Sequence, residues 1–480
     1  MRTRIETTLL PPTPTSYRSW SVTGPADPAA CATGLAAARL FDQCVLYERD
    51  GAWWYAGGAL CGVTLHRDRV VVHYGNRQTN RPVTRSPVVE LSQLAATFPV
   101  DDWRAYGWVA FEFATDVGPG GLSTGWHPGQ GVGEGGDAAG RAVRHRTAAP
   151  LAQLIVPEVE IRITPRRLDV RGTDEATVAR VLAAVERLPA DGPGGGERYQ
   201  PGPLDVVTPG ADAYQQAVAT AVERIQAGRL AKVVLSRRVP VPFAVDLAAT
   251  CLRGRRANSP ARTFLVDLPG TRAVGFSPET VAEIGADGEV SSQPLAGTRP
   301  LGRGVEQDAL ARAELWSDAK EVFEHAVSVR AVTDDLAGIC ASDSVVVRRF
   351  MDVEARGSVQ HLASRVAGRL RPDVTNWEAL AALSPAITAS GIPRRVAYQT
   401  VAELEPTGRG LYAGAVVQVG QDGFLDAALA LRCLHTHGGR TWLQAGAGVV
   451  ADSRPLREYA ETCEKFASIA PHLVPAHRRQ

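Results

Sequence analysis

The sequence predicts an α+β protein in which antiparallel sheets carry helices on their outer faces. Three observations carry that expectation. Strand-like runs are short and succeed one another across short turns, which is how antiparallel neighbours are joined. Strongly patterned helices stand beside these runs, and a parallel nucleotide-binding sheet fits them less well. With 45% apolar and 21% charged residues, the 480-residue chain has the composition of an ordinary globular protein.

The elements follow in order. Residues 44–47, 69–74 and 106–113 read as strands, and 154–170 alternates apolar and polar residues in two short strand-like runs. Residues 176–188 have a helical face of Val178, Val181, Leu182, Val185 and Leu188. A second helix is expected from Asp212, which with Gln215 can form a capping box; its face is Tyr214, Val218, Val222 and Ile225, and Gly228 stops it. A strand opens at Lys232, and 263–267, 273–276 and 288–293 are further strands. Residues 305–339 contain no proline and read as one long helix. Strands are expected at 414–419, 426–434 and 441–445, then a helix over 456–469. Two stretches read as loops: 117–140, with ten glycines, and the linker 189–203, with glycines between prolines. The expected organisation is a β-rich region over 1–200 and a core over 205–475.

Composition excludes several functions. A net charge of +1 supplies no field for a polyanion, so neither nucleic acid nor a membrane surface is an expected partner. No window approaches 18 uninterrupted apolar residues, and residues 1–11 lack a signal-peptide core, so a cytoplasmic location is expected. The seven cysteines are scattered and form no CxxC pair, which disfavours disulfides and zinc. Of 52 basic residues only Lys232, Lys320 and Lys465 are lysine. An arginine-biased chain keeps lysine mainly where a compact charge or a removable proton is needed.

The lysines lead to the chemistry. Glu321 and Glu324 in AKEVFEHA, and Glu458 and Glu461 in REYAETCEK, each put two carboxylates on one helix face. Facing one another, they would offer four oxygen donors to a hard cation such as Mg²⁺; a solvated helix face is the bland alternative. Lys320 adjoins the first pair and Lys465 lies one turn beyond the second. Lys232 opens a strand in the apolar context AKVVLS, where burial can turn an ammonium into a base. Glu279 follows a strand and a Ser-Pro turn in GFSPET, where a carboxyl can be held at a cleft edge. PLAGTR, with Gly297 and Thr298, and QAGAGVV, with Gly446 and Gly448, read as glycine-rich turns whose backbone N–H groups can approach an anion.

Together these segments resemble the chorismate-utilising enzymes, and within them the salicylate synthases of siderophore pathways. The resemblance is dense over 205–475, through ten motifs in order: AKVVLSR, GFSPE, PLAGTR, AKEVFEHAVSVR, MDVEARGSVQHL, SPAITASGIP, GLYAGAVV, LDAALALR, WLQAGAGVV and REYAETCEK. It thins over the first 200 residues to VLYERDG and YGWVAFEF, and 117–140 departs from the family's pattern. It implies two packed, mostly antiparallel sheets flanked by helices in a single chorismate-utilising domain, acting as a monomer. It also implies roles. Lys232 would activate water for attack at C2 of chorismate, and Glu279 would protonate the departing C4 hydroxyl. Glu324 and Glu461 would hold Mg²⁺ directly, Glu321 and Glu458 through water. Tyr412, Arg432, Lys465, Gly446 and Thr298 would bind the pyruvyl carboxylate and nearby oxygens, and His361 would line the pocket near the ring.

The same resemblance separates the family's reactions. Members that insert ammonia carry glutamine at the position of Lys232 and use a glutamine-hydrolysing partner; the lysine favours water, and no amidotransferase partner is expected. Ala296 stands where some aminating members have a nucleophilic lysine, and the tryptophan-sensing LLES signature is absent. Thr388 in SPAITASGIP matches salicylate synthases, whereas enzymes that stop at isochorismate carry alanine there. Ser384 and Arg394 depart from the aromatic residue and the lysine expected at their positions. The expectation is an isochorismate synthase with isochorismate pyruvate lyase activity, dependent on Mg²⁺ and feeding a siderophore or another salicylate product. An isochorismate synthase that stops is the alternative, and a non-catalytic chorismate-binding scaffold the less favoured one.

Overall fold

The computed structural model describes residues 14–116, 149–194, 204–357 and 359–476. The glycine-rich stretch 117–140 and residues 195–203 of the linker lie outside the described residues. Apolar residues at every second position need a second layer to cover them, and two large sheets supply it to each other. One has twelve strands and runs from Leu295–Pro300 at one edge, through Val359–Arg369, Thr280–Ile284, Leu425–Leu429, Ala415–Gly420 and Arg104–Val109, to Arg77–Pro82 at the other. The second has eleven strands, from Arg18–Thr23 through Cys44–Arg49, Arg262–Leu268, Thr271–Ser277 and Cys433–His437 to Arg440–Val449, Lys232–Pro240 and the short Gly391–Ile392. Pairing within both sheets is antiparallel; a separate two-stranded sheet, Thr15–Ser16 with Val100–Asp101, is parallel.

Three apolar clusters fill the layers. Val45, Tyr47, Trp54, Trp108, Phe264 and Val416 come from both sheets and form the core between them. A second cluster joins the twelve-stranded sheet to helices including Pro87–Ala95, Ala319–Ile339 and Asn376–Leu383. A third joins the eleven-stranded sheet to Pro28–Ala37, Glu175–Val185 and Leu247–Ala257. The expected α+β class with packed antiparallel sheets and outer helices is the architecture found.

Several elements differ from expectation. The helix Ala211–Gln226 begins after Gly210, which is left-handed (φ +74°) and gives no side-chain cap, so Asp212 lies inside the first turn rather than capping it. The expected single helix over 305–339 is two, Val305–Ser317 and Ala319–Ile339, broken at Asp318. Its extended backbone lets its carboxylate accept from the N–H groups of Lys320 and Glu321 at 3.0 and 3.2 Å. The region 154–170 holds three strands rather than two. The expected strand 426–434 is also broken, because its halves belong to different sheets: Leu425–Leu429 to the first, Cys433–His437 to the second, with Arg432 at φ +51° between them. PLAGTR and QAGAGVV are strands, not turns.

Candidate active site

The chain changes sheets twice at one place. Thr271–Ser277 is in the eleven-stranded sheet and Thr280–Ile284 in the twelve-stranded one, so Glu279 sits on a crossover beside that of Arg432. Ser277 Oγ stitches the two together through the carbonyls of Glu279 (2.7 Å) and Leu429 (2.6 Å). A cleft opens here, walled by Leu295–Thr298 from the edge of one sheet, Ala445, Gly446 and Gly448 from an inner strand of the other, and two helices, one bearing Lys320, Glu321 and Glu324 in its first turns, the other Glu461 at its middle and Lys465 in its last turn. It encloses about 980 Å³ including its open mouth, enough for a ring-sized substrate.

Glu279 forms the floor at 2% exposure. Its Oε2 accepts from Leu295 N–H at 2.7 Å and its Oε1 meets the Thr388 hydroxyl at 2.5 Å. Burial outweighs these contacts and the charges of Lys232 and Arg432, pushing the carboxyl up to about 7. A group so placed holds its proton near neutrality and can donate it. Thr388 reaches the floor from the loop before Gly391–Ile392, the short strand that pairs with Lys232–Val233.

Arg432 and His361 form the adjoining wall. A guanidinium only donates, so the 2.8 Å contact makes His361 Nε2 the acceptor and puts the ring proton on Nδ1, which donates to Gly297 O at 3.0 Å; Thr298 Oγ1 lies 3.2 Å from Nδ1. Burial, then the Arg432 charge, hold His361 far below its ordinary value, so the ring is neutral. Burial and Arg356 bring Arg432 down to about 10, still a cation at neutral pH and facing the cleft. Tyr412 lines the same wall.

All three lysines meet glutamates of the two helix pairs. Lys232, 3% exposed, has its Nζ 2.7 Å from Glu324 and 3.4 Å from Ser328 Oγ. Lys320 spans the two helices to Glu458 at 3.3 Å. Lys465 contacts Glu461 at 2.8 Å and donates to Gly446 O at 2.7 Å. The fourth glutamate, Glu321, is held by Arg299 at 3.1 Å, and Arg299 also grips Asp318 at 2.7 Å. Lys232 and Glu458 stand just behind the cleft wall; the other expected site residues line it.

The four glutamates carry the chemistry of a hard-cation site. Burial, and then Glu324, raise the Glu321 carboxyl; burial and Glu461 do the same for Glu458. Glu458 Oε2 is buried without a hydrogen-bond partner. Glu324 is held below its ordinary value because Lys232, Lys320 and Lys465 outweigh its burial. An all-carboxylate donor set with one buried, orphaned oxygen fits a hard cation such as Mg²⁺. Among the described residues no three acidic, His or Cys side chains converge tightly enough to be a preformed metal cage.

Sequence reasoning missed Arg299, Asp318 and Ser328. Asp318 was within reach, because Asp-Ala-Lys-Glu is a helix-start pattern with an acid at the cap and another three residues on. Arg299 and Ser328 carried no signal, as their partners are distant in sequence.

The sequence profile of chorismate binding enzymes matches residues 42–471. A salicylate synthase of Mycolicibacterium paratuberculosis is 40% identical over 450 residues, covering 94% of each chain. An anthranilate synthase component 1 of Aeropyrum pernix is 40% identical over 258 residues, 53% of this chain and 58% of its own. The crystal structure of anthranilate synthase component I from Streptococcus pneumoniae superposes with a TM-score of 0.69 at 25% identity, covering 88% of this chain and 92% of that one.

Proposed function

The chain belongs to the chorismate-binding enzyme family, and we propose that it is a salicylate synthase that converts chorismate through isochorismate to salicylate and pyruvate. The observation that carries this reading is a proton-holding carboxyl, Glu279, touched by the Thr388 hydroxyl in a cleft that Lys232 borders. The near full-length sequence likeness to a salicylate synthase, against a half-length sequence likeness to an anthranilate synthase component 1, supports it.

In the first step Glu279 gives its proton to the departing C4 hydroxyl, and Lys232 is the base for the water that attacks C2. Arg432, held in place by His361, and Lys465 bind the carboxylates of the substrate. The four glutamates would hold Mg²⁺, which supplies a positive charge that offsets the substrate's ring carboxylate. In the second step the C2 hydrogen passes to the enolpyruvyl group as its C–O bond breaks. The wall residues contribute by holding the conformation in which these atoms meet. Water from solvent is the nucleophile, so no amidotransferase partner is needed. The product suits a siderophore or another salicylate-derived metabolite.

The test is to incubate the protein with chorismate and Mg²⁺, with an EDTA control, following salicylate fluorescence and chromatography of isochorismate and pyruvate. Salicylate with equimolar pyruvate, abolished by EDTA, is expected. Persistent isochorismate would make this a one-step isomerising enzyme, and chorismate binding without turnover would make it a scaffold.

A further inference from the structure

Thr388 reaches Glu279 from a loop, and a loop places a hydroxyl to within a few tenths of an ångström only if something fixes its backbone. One contact ties this loop to the strand Lys232–Pro240: Val234 N–H donates to Ser390 O at 2.9 Å. The carbonyls of Val234 and of Ala389, the residue after Thr388, cannot bond each other, since both only accept. Arg409 joins them. Its guanidinium donates to Val234 O at 2.6 Å and to Ala389 O at 2.8 Å.

The guanidinium is itself fixed. Glu405, four residues back and just past the helix Arg394–Leu404, accepts from Nε at 3.0 Å and from an Nη at 2.5 Å. Glu405 also accepts from Ser236 N–H at 2.8 Å, on the same strand as Lys232. The guanidinium carbon lies 5.6 Å from the ring centroid of Tyr412 on the cleft wall. Arg409 is 2% exposed and Glu405 6%. A buried ion pair is a poor source of stability, because desolvating both charges offsets their attraction, so its worth here lies in fixing geometry.

We propose that Arg409, anchored by Glu405, is a positioning residue that sets the Thr388 loop against the Lys232 strand and the Tyr412 wall, and thereby decides how much isochorismate goes on to salicylate. The claim about partition rests on the salicylate synthase reading; the coupling of Arg409 to Thr388 does not. Arg409 touches neither Glu279 nor the reacting atoms and acts through the backbone at Ala389. Arg409→Lys keeps a charge for Glu405 but cannot bridge two carbonyls in the plane of a fork.

The experiment is a double-mutant cycle of Arg409→Lys and Thr388→Ala, measuring chorismate consumption, KM and the ratio of isochorismate to salicylate released. Arg409→Lys is expected to lower kcat for chorismate consumption about tenfold with KM within about twofold, and to raise the released isochorismate fraction several-fold. In the double variant the second change should cost less than about threefold, because the two act as one unit. Independent, multiplying effects with an unchanged product ratio would overturn the proposal. If the wild type releases only isochorismate, the salicylate reading fails, while the cycle on chorismate consumption still decides the coupling. Should Arg409→Lys fail to fold, Glu405→Gln takes its place. It keeps both carbonyl bridges but loosens their anchor, and the same non-additivity with Thr388→Ala is expected, additivity being the contrary result.

Discussion

A carboxyl that donates a proton at neutral pH works best with its own pKa near that pH, and Glu279 is held at about 7 by burial. The rate of chorismate consumption should therefore fall along an alkaline limb centred near 7. The same shift costs stability. A carboxyl raised from 4.5 to about 7 leaves the folded state at its best below 4.5, and stability is lost progressively as pH rises through 7. The loss is on the order of 3 kcal/mol above that window. Glu279→Gln keeps the shape without the titration. It should lower turnover by at least about a hundredfold, and in urea it should outlast the wild type at pH 8 but not at pH 4.5. Equal urea midpoints at pH 8 would show that the Glu279 carboxyl is not raised. Glu279 stood out in the sequence through its Ser-Pro turn, but its burial did not, because Leu295 and Thr388, which enclose it, are distant along the chain.

Elements meet at the site through backbone contacts that small changes can disrupt. A Cβ on Gly446 would lie 2.5 Å from Leu235 O, a backbone atom of the paired strand, whereas one on Gly448 would meet Glu324 Oε1, the free end of a side chain, at 2.6 Å. Gly446→Ala should thus push the paired strands apart and cost about 1–3 kcal/mol in urea unfolding. Gly448→Ala should fold normally but displace Glu324 from Lys232, raising the Mg²⁺ concentration for half-maximal rate about tenfold; unchanged Mg²⁺ dependence would remove Glu324 from the metal set. Asp318→Ala removes a helix cap and a partner of Arg299, at a cost of about 1 kcal/mol, and a variant as stable as the wild type would contradict the capping role. The helical period through 305–339 runs on across Asp318, so periodicity could not reveal the break. The acidic residue before AKEV could.

At the scale of the molecule, the sheets wind the N-terminal and C-terminal regions of the chain together. Cys44–Arg49 pairs with Arg262–Leu268, and Arg104–Val109 with Ala415–Gly420. Arg262 reaches from one sheet to Asp426 on the other at 2.7 Å. The site-bearing region should therefore not fold alone: residues 204–476 expressed without the rest are expected to aggregate or to unfold without a cooperative transition. A soluble, cooperatively melting fragment that turns over chorismate would refute this. No helix among the described residues is long and apolar enough to cross a membrane. The sequence alone held the class of fold, most helix faces and the motifs of the family, since those depend on residue type, on period and on patterns many residues long. The two sheet crossovers that bring Glu279 beside Arg432, the pairing of Lys232 with Glu324 and of Lys320 with Glu458, and the Arg409 bridge emerged only from the folded chain. They join residues tens to hundreds of positions apart, and pairing at such separations follows from how the sheets close on each other, which no local pattern records.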